Sequence, residues 1–119
     1  MTERETCELL CLDLPKAEAL RQALPSAESL EAAAAPFKAL TDPTRTAVLL
    51  SLADGGSCCV CDLSWIVGRD EKLVSHHVRQ LKHLGAARSR REGRMVMYEL
   101  TELGAALAAA YRQMDRVLA

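Results

Sequence analysis

Five cysteines, Cys7, Cys11, Cys58, Cys59 and Cys61, offer the sharpest chemistry in this 119-residue sequence. Their number is odd and they crowd at short spacing, a pattern that suits thiolates kept reduced for metal or redox chemistry better than a disulfide framework. Three or four sulfurs favour soft or borderline ions such as Zn(II), Cd(II), Pb(II), Cu(I) or As(III). Cys59 and Cys61 fall where a helix is expected to start, and a Cys-x-Cys pair cannot complete a four-coordinate site alone. Cys7 and Cys11, one helical turn or a flexible loop apart, would supply the missing pair if the chain ahead of residue 14 folds across. A thiol redox switch needs only two cysteines and is the competing chemistry. A lone cysteine is usually a small buried hydrophobe, which two clusters of them argue against.

The second chemistry is cationic. The net charge of −1 hides a segregation: residues 1–68 carry five Lys/Arg against ten Asp/Glu, whereas residues 69–98 carry eight against three. A basic segment in a near-neutral chain is a candidate anion-binding face. Leu63, Ile66 and Val67 mark a short helix stopped by Gly68, a polar turn follows, and a second helix is expected over residues 71–84, together resembling a helix-turn-helix. On that second helix Val74, Val78, Leu81 and Gly85 share one side with His77, which is expected to be a core histidine. The opposite side carries Lys72, Ser75, His76, Arg79 and His83. After Gly85, two alternating runs around Glu92 and Gly93 predict a β-hairpin with Arg88, Arg90, Arg91 and Arg94 at its tip and stems. Helix-turn-helix plus basic hairpin makes a winged helix suited to double-stranded DNA. Ser75 and His76 are short enough for base edges, Lys72 and Arg79 suit guanine or phosphate, and the wing arginines suit phosphate or the minor groove.

The elements that must hold these groups are mostly helical. Aromatic residues are only Phe37, Trp65, Tyr98 and Tyr111, so Leu, Val and Ala must build the core. Residues 1–13 lack a sustained amphipathic period and are expected to form an arm that needs something else to order it. Residues 14–119 are expected to form one domain, mainly α with a β-hairpin wing. Pro15 starts a helix over residues 16–23; Ser26 caps another over residues 26–40, bent at Pro36; Asp42 and Pro43 open a third, stopped by Gly55 and Gly56. Thr101 caps a last helix whose stripe of Leu103, Leu107, Ala110, Met114 and Val117 has nothing in so small a domain to cover it, which predicts pairing with a second copy. Residues 1–8 are polar and unlike a signal peptide, and no apolar run approaches a membrane span, so a cytoplasmic protein with no membrane partner is expected. With no Gly-rich phosphate loop, paired carboxylates in a plausible cleft or nucleophile–base signature, an enzyme is not expected, nor is an organic cofactor.

FKALTDPTRTAVLLSL, CCVCDL, VSHHVRQLKHLG and REGRMVMYEL together resemble the ArsR/SmtB family of winged-helix metalloregulatory repressors over nearly the whole chain. Within that family, TCELLCLD followed by CVCDL is similar to the CadC-like cadmium/lead sensors. The resemblance implies a homodimer in which Cys7 and Cys11 of one protomer join Cys59 and Cys61 of the other. It also implies that the metal-free dimer holds an operator, an inverted repeat, and that Cd(II) or Pb(II), or Zn(II), releases it. Cys58 departs from the pattern and is a possible substitute ligand. An As(III)- or redox-responsive repressor using only the central cysteines is the alternative. Some relatives carry a zinc site across the paired last helices; the matching positions here, Glu102, Gly104, Asp115 and Leu118, keep two carboxylates and no histidine, so that site is expected to be lost.

Overall fold

A computed structural model describes residues 5–119, so residues 1–4 of the expected arm lie outside the described residues. The chain divides into two compact units, Met1–Leu30 and Glu31–Ala119. In the first, helix α1 (Leu14–Ala23) starts where the Asp13 carboxylate accepts the N–H of Lys16 at 3.3 Å, with Pro15 in the first turn, where no N–H is needed. Ser26 accepts the N–H of Ser29 at 3.1 Å and so starts α2 (Ala27–Ala34), within which the boundary between the units falls. No described residue of the first unit is buried, and Leu10 is 92% exposed.

The expected single helix over residues 26–40 is two elements. The α-helix ends at Ala34 and a 3-10 helix, Ala35–Leu40, follows, because Pro36 has no N–H and its ring crowds the preceding turn. Helix α3 (Pro43–Gly55) is capped as expected, Asp42 accepting the N–H groups of Thr44 at 2.9 Å and Arg45 at 3.0 Å. A two-residue strand, β1 (Ser57–Cys58), then leads into α4 (Val60–Val67). Gly68 ends α4 in the left-handed region at φ 69°, which a side chain would disfavour. Asp70 caps α5 (Glu71–His83) by accepting the N–H of Leu73 at 2.8 Å. The wing is β2 (Ala87–Glu92) and β3 (Met95–Leu100), and β1 joins it to give an antiparallel sheet in the order β1-β3-β2. Strand β1 escapes sequence reading because two residues are too few to show a period of two.

Helix α6 (Glu102–Leu118) is capped by Thr101, which accepts the N–H of Gly104 at 3.2 Å. Gly104 is where α6 meets the α5–β2 link, and a Cβ there would stand 2.0 Å from the Ala86 carbonyl oxygen. Val48, Leu49 and Leu52 of α3, Leu63 of α4, and Val74, Val78 and Leu81 of α5 form the core with Leu107 and Ala108 of α6. The expected uncovered stripe on α6 is therefore divided. Leu107 is inside, because the first half of α6 packs on α3 and the 3-10 helix, while Leu103, Met114 and Val117 are exposed. Among the described residues, no helix is long and apolar enough to cross a membrane.

Candidate nucleic-acid interface and thiol pairs

The interface begins with what α5 buries. Val74, His77, Val78 and Leu81 face the core, which turns Lys72, His76, Arg79 and His83 outward, with Ser75 half-buried beside them. His77 is the core histidine the sequence predicts: 5% exposed, with Nε2 3.7 Å from Asp42 Oδ1, it ties the reading helix to the cap of α3. The Asp42 carboxyl is held below its ordinary range, first by the N–H of Arg45 and then by the charge of His77.

The four wing arginines are not equivalent. Register sets Arg88 opposite Glu99 and Arg91 opposite Val96, so Arg88 and Arg90 share a sheet face with Glu99 and Arg91 lies on the other. Arg88 Nε is 3.0 Å from Glu99 Oε1, Arg90 Nη1 is 3.2 Å from Glu99 Oε2, and Arg90 Nη2 is 3.4 Å from Glu92 Oε2. The Glu99 carboxyl is accordingly lowered, chiefly by its hydrogen bond from Arg88. Among the described residues Arg91 and Arg94 make no ion pair. Lys82 Nζ donates to Ser89 Oγ at 2.8 Å and fastens the end of α5 to the base of the wing.

The cysteines form two pairs and a singleton. In the first unit the Cys11 thiol donates to Cys7 Sγ at 3.1 Å, and both are exposed. In the second, Cys59 immediately precedes α4 and is half-buried, and Cys61 lies exposed in its first turn. The carboxylate of Glu71, the first residue of α5, pushes the Cys61 thiol pKa up. Cys58 is buried on β1 with its Sγ 3.1 Å from where a Cβ on Gly55 would sit, and burial pushes its thiol up. Cys58 is thus packed as a core residue. Each pair offers two sulfurs, half of a four-coordinate site, and that donor chemistry fits a thiophilic cation. Among the described residues no three His, Cys, Asp or Glu side chains gather into a metal-binding cluster.

Three contributors escape sequence reading. Glu71 meets Cys61 across a helix–turn–helix, which no local pattern encodes. Glu99 could have been found by counting back along the hairpin from Gly93. Arg45, without an assignable role from the sequence alone, hydrogen-bonds Gln80 of α5, the Lys38 carbonyl at 2.9 Å and Thr41 Oγ1 at 3.3 Å. Of the four positions that the family resemblance matches to a zinc site, Gly104 has neither a donor nor room for one, while Glu102, Asp115 and Leu118 are exposed.

A model of the bacterial regulatory protein, arsR family, matches residues 42–89, from the cap of α3 into β2. The cadmium resistance transcriptional regulatory protein CadC homologue of Staphylococcus aureus is 34% identical over 99 residues, covering 83% of this chain and 81% of that one. The chain belongs to the ArsR family. Its winged helix-turn-helix is therefore that of a DNA-binding transcriptional regulator and not of an enzyme. A second ArsR-family relative, the arsenical resistance operon repressor of Escherichia coli, is 36% identical over 65 residues, 55% of this chain and 56% of that one. The homodimeric winged helix-turn-helix DNA-binding domain of a possible ArsR-family regulator from Mycobacterium bovis superposes with a TM-score of 0.67 at 26% identity, covering 81% of this chain and 93% of that one.

Proposed function

We propose that this ArsR-family regulator is a homodimeric repressor that leaves its operator when a thiophilic ion, Cd(II) or Pb(II) or Zn(II), is taken up by Cys7 and Cys11 of one protomer with Cys59 and Cys61 of the other. One observation carries it: Cys61, in the first helix of the DNA-binding motif, is near enough to Glu71 at the start of the second for that carboxylate to push its thiol pKa up. Ligation requires the thiolate, so an ion must displace the thiol proton that Glu71 favours on Cys61, and the charge facing the start of the reading helix changes. Two reading helices in a dimer must stay one DNA turn apart, and a shift of either weakens binding. The cadmium resistance regulator of Staphylococcus aureus, similar over most of this chain, supports the choice of ion class. The homodimeric Mycobacterium bovis domain and the exposed Met114 and Val117 of α6 support the dimer. Residues 1–13 then act as a ligand-bearing arm on a DNA-binding and dimerisation domain of residues 14–119. Lys72, Ser75, His76, Arg79, Arg91 and Arg94 form the DNA face, with Arg88 and Arg90 shared between Glu99 and phosphate.

The test is Cd(II) titration of the reduced chain, followed by the ultraviolet sulfur-to-metal absorbance, in wild type and Cys7→Ser. Saturation at one ion per protomer, with absorbance falling by about a quarter in the variant, is expected of four sulfurs. Binding to a duplex selected with the metal-free protein should weaken roughly 5–150-fold on saturation; equal binding with and without metal would sink the mechanism. The arsenical relative favours a second reading, an As(III) sensor built on Cys58, Cys59 and Cys61. An absorbance band untouched by Cys7→Ser, with release of the duplex by arsenite, would select it.

A further inference from the structure

A recess of about 340 Å³ lies beside the reading helix, bounded by the 3-10 helix, α3 and α5. Lys38, Arg45, His76, Arg79 and His83 line it, and no carboxylate does. Among the described residues none of these five makes an ion pair. Arg45 is held there by neutral acceptors alone, Gln80, the Lys38 carbonyl and Thr41 Oγ1, and its Nε is buried with no partner. Asp42, outside the lining, accepts from the backbone N–H groups of Thr44 and Arg45, lies beside His77, and its charge also acts on Arg45. Three cations and two imidazoles thus surround an open space with no carboxylate in its lining, an arrangement that attracts an anion.

We propose that this recess clamps a phosphodiester of the duplex that α5 reads, making Lys38, Arg45 and His83 DNA-positioning residues. The inference rests on the DNA-binding function proposed above and extends that face beyond α5 and the wing. A duplex phosphate is favoured because the recess shares His76 and Arg79 with the outward side of α5, so its anion and the bases lie along one surface. A guanidinium whose orientation is already fixed loses little freedom when it binds phosphate. Contacts of this kind set register on the helix and carry no sequence preference.

The experiment measures binding of the metal-free full-length chain to two duplexes of unrelated mixed sequence over a range of salt, for wild type, Lys38→Gln, and Lys38→Gln with His83→Gln. Both side chains are exposed, and the Lys38 carbonyl that holds Arg45 is unchanged, so circular dichroism should match wild type. The expected result is weakening by the same factor on both duplexes, with the log–log salt slope shallower by about 0.9 for the lost Lys38 contact. Wild-type binding with an unchanged slope in Lys38→Gln overturns the clamp and leaves the repressor reading standing. Absence of wild-type duplex binding overturns both. Titration of the His76 and His83 ring signals by inorganic phosphate, without any duplex binding, would reassign the recess to a small anion and overturn the clamp.

Discussion

Cys7 and Cys11 stand in a unit where no described residue is buried, whereas Cys59 and Cys61 begin a helix whose next turn plants Leu63 in the core, fully buried. The first pair is brought together by local chain alone; the second is carried on a packed scaffold and lies within the electrostatic reach of Glu71 at the start of the reading helix. Equal ligand types are thus held at unequal cost. Ordering an exposed segment around an ion costs backbone and side-chain entropy, while a pair on a packed helix has met the backbone part of that cost on folding. The pair on α4, with Cys59 half-buried and Cys61 exposed, is suited to transmit a change because its helix is packed, and the pair in the first unit to complete coordination.

The largest expected break in this contrast is in stability. Leu63→Ala should destabilise the chain by about 2–5 kcal/mol in urea unfolding, the usual range for a fully buried leucine. Leu20→Ala, at a position 59% exposed, should change stability by about 0.5 kcal/mol or less. A comparable loss at Leu20 would mean that the first unit's leucines are covered in the working assembly. Next is pH. Glu71 raises the Cys61 thiol pKa, so uptake at the second pair should fall away as pH drops while the thiol regains its proton. Glu71→Gln removes the neighbouring negative charge, lowers the thiol pKa and should move the Cd(II) absorbance–pH curve to lower pH; an unmoved curve would break the Cys61–Glu71 link. The smallest effect separates the wing cations. Arg91→Gln should flatten the salt slope of duplex binding by about 0.9, and Arg88→Gln by less, because Arg88 is already shared with Glu99; equal changes would show that Glu99 releases Arg88 on DNA.

Much of the second unit was legible because its signals are local. Asp42-Pro43, Gly68, Thr101 and the apolar period of α5 act within a few residues of chain, and the structure places helix ends and the buried side of α5 accordingly. The cysteine pairs were legible as short spacings. Less legible were features that depend on what lies opposite: Leu107 looks like its stripe-mates Met114 and Val117 until α3 covers one and leaves the others exposed.

Residue order alone decided the caps, the helix and hairpin periods, the two thiol pairs and the basic segment, since each arises from neighbours a turn or less apart. Which wing arginines are neutralised, why Cys58 is packed away, how Cys61 meets Glu71 and where Arg45 points were decided by tertiary structure. Those outcomes depend on burial or on what the fold sets opposite, from a neighbouring strand to a residue 35 positions along the chain, and a charge or a thiol takes its character from what the fold sets beside it.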